Sequence, residues 1–165
     1  MPENNRLNLN QVELGRPLPP WSLDPIFDDP VPSVDYFLGK PLLVLIFSFV
    51  CPGCIGRAIP FANRMVYENG ESLQVLGIHS NFSGHDLKDE LLINGKKNYY
   101  IRFPYFKDKN FDTTFINYGA GGTPHWLLVD AMGNVCYSIF GSDPNNALLR
   151  LDLRIAEMLQ ESKLP

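Results

Sequence analysis

Residues 42–49 read LLVLIFSF, and after Val50 comes Cys51-Pro52-Gly53-Cys54. An apolar run without alternation suits a strand covered on both faces, the usual place of a strand at the centre of an α/β sheet. Beyond the cysteines, Ile55, Ala58, Ile59, Ala62, Met65 and Val66 recur at a helical spacing that closes at Asn69-Gly70. The paired cysteines are therefore expected where a buried strand passes into a helix.

The rest of the chain extends this pattern. A second strand is expected at 73–79, a mostly helical segment at 83–100 with an interruption at Asn94-Gly95, a short strand at 103–106 and a short helix at 110–118. A hairpin follows, with arms 125–129 and 135–140 joined by Asp130-Ala131-Met132-Gly133-Asn134, and then a closing helix at 145–160. Parallel crossovers followed by an antiparallel pair give an α/β fold: a central mixed β-sheet with helices on both faces. With 165 residues, 45% of them hydrophobic, one domain spanning 1–165 is expected. Half of the 14 prolines lie before residue 40, so residues 1–40 read as an extended lead-in packed on that domain.

Charge and hydropathy exclude several partners. A net charge of -4 provides no basic field for nucleic acid or anionic lipid. The longest apolar stretch, 41–50, is far short of the roughly 20 residues that span a bilayer. Met1-Pro2-Glu3-Asn4-Asn5-Arg6 has none of the features of a secretory signal, which sets the expectation of a cytoplasmic protein, or an exported one if a leader or anchor has been removed. A monomer is expected.

Chemistry concentrates at Cys51 and Cys54. Disulfide exchange proceeds through a thiolate, and the free N–H groups and dipole at a helix start stabilise one. Pro52 suits the first helical position, because its φ is fixed and it has no N–H to leave unpaired. Cys54 falls one turn further along the same face, so the expected roles are attack by Cys51 and resolution by Cys54, with Pro52 and Gly53 forming the loop between them. Structural zinc would require two more ligands, and only Cys136 and three histidines remain. An inert buried pair has no reason to straddle Pro-Gly at a helix start.

A second signal is Thr123-Pro124-His125 at a strand entry. A proline between a tight turn and a strand is either a plain trans loop residue or a cis residue. In the cis form it would expose the Thr123 backbone to an extended peptide, making Thr123 and Pro124 the expected substrate-binding pair. His79 and His85 read as surface or hydrogen-bonded residues, Cys136 as a small buried hydrophobe, and Trp21 and Trp126 as core or groove residues, with Trp126 nearer the substrate. Lys88, Lys96, Lys97, Arg102, Lys107 and Lys109 read as a solvated face.

The chain resembles the TlpA-like branch of thioredoxin-fold proteins, which borders the alkyl hydroperoxide reductase and thiol-specific antioxidant group. The likeness covers nearly the whole sequence: LGRPLPPWSL looks like that branch's opening segment, LGKPLLVLIFSFVCPGC like its strand and active site, and GGTPHWLLVDAMGNVCYSIFG like its cis-proline loop and hairpin. Residues 79–102 correspond to the segment this branch inserts between the halves of the sheet. The resemblance implies a thiol–disulfide oxidoreductase acting on protein or small-molecule thiols and disulfides. It implies Cys51 as nucleophile, Cys54 as resolving thiol, Pro124 as the cis proline, and no cofactor beyond a redox-active Cys51–Cys54 disulfide.

The chain also departs from the branch. Val50 stands where a tryptophan is usual, Leu45 where many thioredoxins bury an aspartate, and the helix proline, Pro60, comes one residue late. Two alternatives follow from other relatives of the fold. Ser48-Phe49-Val50-Cys51-Pro52 looks like a peroxiredoxin site with Cys51 peroxidatic, although Val44 replaces its proline and no arginine lies between Arg102 and Arg150. Cys51, Cys54 and His125 together resemble the ligand set of Sco-type copper-delivery proteins, with a gap of two residues between the cysteines where three is usual.

Overall fold

The computed structural model describes residues 12–81 and 87–161. Six strands form one mixed sheet: β1 (Leu23–Asp24), β2 (Leu42–Phe47), β3 (Gln74–His79), β4 (Tyr105–Asp108), β5 (His125–Val129) and β6 (Val135–Phe140). Their order is β1-β4-β3-β2-β5-β6. β2, β3 and β4 run parallel, while β1, β5 and β6 join antiparallel. Four α-helices pack around the sheet: α1 (Ile59–Asn69), α2 (Asp89–Asn98), α3 (Thr113–Asn117) and α4 (Ala147–Glu161). Among the described residues, no helix is long and apolar enough to cross a membrane.

β2 is the centre of the structure, and all six of its side chains are at most 2% exposed. Strand geometry sends alternate residues to opposite faces. Leu43, Leu45 and Phe47 join a cluster with Phe61, Ala62 and Met65 of α1 and Leu148, Leu151 and Ile155 of α4. Leu42, Val44 and Ile46 join the opposite cluster, covered by Leu18, Trp21 and Phe37 of the lead-in, with Phe115 of α3 and the adjoining Tyr118. Each buried valine, leucine, isoleucine, methionine or phenylalanine among them contributes roughly 2 kcal/mol. The uninterrupted apolar run is thus explained by a sheet covered on both sides.

The lead-in carries more regular structure than its prolines suggest. Leu23 and Asp24 pair with Asp108 and Lys107, which covers the edge of β4. Val34–Phe37 forms a 3-10 turn. Trp21 donates from Nε1 to the Pro32 carbonyl at 2.8 Å and packs edge-on against Phe37, so the segment folds back on itself.

Other differences from the expected elements have local causes. β4 begins at Tyr105 and not at 103, because Pro104 has no N–H for the ladder; its carbonyl accepts from Gly77 at 2.8 Å. α2 passes through Asn94-Gly95 without a break, and Gly95 is there because any Cβ would enter the Phe49 ring. The part of the expected 83–100 helix at 83–86 lies outside the described residues, as does His85. Cys136 is exposed and not buried, since β6 is the last strand of the sheet and turns its alternate residues to solvent.

Candidate active site

Cys51 lies four residues beyond the end of β2, at the start of a helical segment whose first turn is wide. Residues 54–58 form a π turn in which Ile59 donates its N–H to the Cys54 carbonyl, five residues back. A π turn holds one more residue than an α turn. This extra residue is the reason Pro60 comes one position late, and the proline sits in the first turn of α1, where its missing N–H is tolerated.

The two cysteines differ in access. Cys51 is half-buried, whereas Cys54 is fully buried within the α1 face of the core. Both are free thiols here. The Cys51 thiol points at the Thr123 carbonyl, with sulfur and oxygen 3.4 Å apart, and the Cys54 N–H donates to the Cys51 sulfur at 3.3 Å. Burial pushes the Cys54 thiol far above its ordinary pKa, and its hydrogen bond with Cys51 pushes the same way. The Thr123-Pro124 bond is cis. Gly53 lies against Ser142, whose hydroxyl would be 2.6 Å from a Cβ at that position, and against the Pro124 ring. Cys51, Pro52, Gly53, Cys54, Thr123 and Pro124 are thereby brought together, with Ser142 added by the loop after β6.

Two exposed apolar residues flank this cluster. Val50, immediately before Cys51, is 57% exposed, and Phe140 at the end of β6 is 53% exposed with its ring over Gly122. Trp126 is not at this surface. It is fully buried, packs edge-on against Phe61 and donates to the Gly141 carbonyl at 3.0 Å, so it is a core residue and no substrate neighbour.

His125 alternates with Trp126 and so faces the opposite side of the sheet from α1. Its Nε2 pairs with the Ser138 hydroxyl at 2.8 Å, and its Nδ1 accepts the Gly121 N–H at 3.4 Å. Both ring nitrogens are occupied, and burial lowers the imidazole pKa to about 4. The Cys51, Cys54 and His125 ligand set is not assembled. Among the described residues, no group of three His, Cys, Asp or Glu side chains is placed to hold a metal ion. Ser48 is buried, and its hydroxyl accepts the Val50 N–H at 3.3 Å. Arg102 stacks on Tyr100 at 3.7 Å.

Sequence reasoning passed over His79. It is 2% exposed at the end of β3, beside the exit of β2, and its Nε2 accepts the Phe49 N–H at 3.0 Å. Burial lowers its pKa to about 4, and the nearby Lys107 charge acts in the same direction. Its position at the carboxyl end of a parallel strand, where α/β sheets gather their functional groups, was the available signal.

No family model and no curated protein matches the chain. Solved structures do match. A thioredoxin-like superfamily protein is 26% identical with a TM-score of 0.76, over 87% of this chain and 96% of that one. A thiol-disulfide isomerase from Corynebacterium glutamicum is also 26% identical with a TM-score of 0.75, over 90% and 96%. A protein from Chlorobium tepidum assigned as the thiol:disulfide interchange protein DsbE has 20% identity and a TM-score of 0.75, over 90% and 99%. The fold and the cysteine pair define the class: a thioredoxin-like protein with a CxxC dithiol. Within that class its structural neighbours include proteins of the thiol–disulfide isomerase and interchange type, in line with the TlpA-like resemblance.

Proposed function

We propose that this protein is a thiol–disulfide oxidoreductase in which Cys51 is the attacking sulfur and Cys54 the resolving thiol. The observation that carries this reading is the unequal access of the two cysteines: the half-buried Cys51 sulfur accepts the Cys54 N–H beside the Thr123 carbonyl, while the Cys54 thiol lies fully buried behind it. A substrate disulfide can reach only Cys51.

In the reducing direction, the Cys51 thiolate attacks one substrate sulfur, and the S–S bond breaks to release a substrate thiolate. Cys54 then gives up its proton and attacks Cys51 in the mixed disulfide. The second substrate thiol leaves, and the Cys51–Cys54 disulfide retains the two-electron oxidation. The oxidising direction reverses these steps. The reading calls for no bound cofactor, since the Cys51–Cys54 dithiol supplies the two electrons and its disulfide takes them back.

The substrate class is a protein thiol or disulfide. Thr123 and Pro124 present backbone beside Cys51 that an extended peptide can pair with. Val50 and Phe140 add exposed apolar surface on either side.

Two variants test the assignment on a peptide disulfide. Cys51→Ser is expected to abolish exchange, and Cys54→Ser to accumulate a mixed disulfide at Cys51 detectable by mass spectrometry. Exchange surviving in Cys51→Ser, or a mixed disulfide forming on Cys54 in place of Cys51, would refute the roles.

A further inference from the structure

The backbone of the turn that carries Cys51 is hydrogen-bonded to a side chain of a neighbouring strand. β2 ends at Phe47, whose carbonyl accepts the Ser80 N–H at 2.9 Å as the last rung toward β3. Beyond it, the Val50 N–H donates to the Ser48 hydroxyl at 3.3 Å and the Cys51 N–H to the Ser48 carbonyl at 3.2 Å. Both bonds lie within the turn and move with it. The Phe49 N–H is different, because it donates to Nε2 of His79, on another strand, at 3.0 Å.

His79 is built to accept that bond. A backbone N–H can be taken up only by an unprotonated ring nitrogen, so the imidazole must be the neutral tautomer with hydrogen on Nδ1. The ring stands edge-on to Phe47 at 5.5 Å. Burial together with the Lys107 charge keeps the ring neutral well below pH 7. The Phe49 ring is held on two sides, tilted against His79 at 5.1 Å and stacked on Tyr99 at 5.4 Å, with Gly95 of α2 in close approach.

We propose that His79 is a positioning residue for the reactive thiol: by accepting the Phe49 N–H it sets where the 48–51 turn leaves the sheet, and so places the Cys51 sulfur against the Cys54 N–H and the Thr123 carbonyl. This role rests on the oxidoreductase reading for its purpose but not for its measurement. Without the acceptor, a buried N–H is left unsatisfied, and the turn relaxes toward whatever acceptor it can find. That shift moves the Cys51 sulfur away from the Cys54 N–H and the Thr123 carbonyl.

The test compares His79→Leu, which fills the site without an acceptor, with His79→Gln, whose Oε1 accepts at similar reach. The primary readout is the rate of iodoacetamide alkylation at Cys51 against pH, followed by peptide mass spectrometry on the reduced protein. His79→Leu is expected to slow alkylation at pH 7 about fivefold to tenfold and move its profile toward alkaline pH, with His79→Gln within about twofold of the parent. The equilibrium with glutathione should shift toward the protein disulfide by up to about tenfold, or about 30 mV.

A Leu variant with the parent rate and profile overturns the proposal. So does a Gln variant as impaired as Leu, since bulk and not the acceptor would then matter. If His79→Leu does not melt cooperatively, His79→Met supplies the same contrast, and the same two results decide it. A parent protein that alkylates at Cys51 but exchanges no disulfide refutes the oxidoreductase reading and leaves the positioning test readable.

Discussion

Gly53 and Ser142 occupy one space: a Cβ on Gly53 would lie 2.6 Å from the Ser142 hydroxyl and 3.7 Å from its Cβ. The residue between the cysteines and the loop after β6 are therefore sized for one another. Gly53→Ala is expected to destabilise the protein by about 1 kcal/mol and to cost much less in a Ser142→Ala background, where the clashing oxygen is gone. Urea unfolding of the four proteins in the cycle checks this. A coupling below about 0.3 kcal/mol would mean that the two sites are independent.

Gly95 sits inside a helix, where Gly→Ala normally stabilises by up to about 1 kcal/mol. Here the Cβ enters the Phe49 ring, so Gly95→Ala should instead destabilise by roughly 1–3 kcal/mol. Thermal melting reads the sign, and a raised melting temperature would show that Phe49 moves aside freely.

His79 and His125 both have pKa values lowered from 6.5 to about 4, with burial the leading cause. The unfolded chain therefore binds protons that the folded one refuses. The stability they confer is complete above pH 6.5 and is lost as pH falls toward 4, by roughly 2 kcal/mol each at pH 5. Asp108 works against this trend. Burial raises its pKa despite the N–H groups of Thr114 and Phe115 and the Ser80 hydroxyl, so its contribution is greatest in acid and fades as pH rises through its folded value. Because of that opposition the comparison is best made with His79→Gln, which should reduce the loss between pH 7 and pH 5 by roughly 2 kcal/mol in denaturant titrations. An unchanged slope in that variant would remove His79 from the account.

The three thiols should separate under alkylation of the native protein. Cys136 is exposed and Cys51 half-buried, so both are expected to react, whereas Cys54, buried and with its pKa raised, should remain unmodified until the protein unfolds. Peptide mapping after a short exposure to iodoacetamide gives the order. Labelling of Cys54 at the rate of Cys51 would contradict the buried resolving thiol.

Where periodicity and turn chemistry acted together, the expected elements match the structure. The hairpin arms lie at His125–Val129 and Val135–Phe140 as expected, and its turn closes with the Asp130 carboxylate accepting the N–H groups of Met132 and Asn134. The cysteine pair at the strand-to-helix junction was legible for the same reason, whereas local chemistry left Pro124 as trans or cis and the cis form came from the resemblance. Features set by contacts distant in sequence were not. Cys136 is exposed because β6 ends the sheet, Trp126 is buried because Phe61 covers it, and His79 meets Phe49 across 30 positions.

The wide turn at Cys54–Ala58 also bears on how this chain is compared with its relatives. Each residue of a regular helix advances about 100° around the axis, so one extra residue turns everything after it by that amount in sequence register. Ala58, Phe61, Ala62 and Met65 nevertheless follow Cys54 at i+4, i+7, i+8 and i+11 and share its buried face, so the core-facing stripe reads as that of a regular helix and the wide turn shows instead in the late position of Pro60. A comparison that places Pro60 opposite the helix proline of the branch it resembles therefore needs a one-residue gap within the wide turn after Cys54.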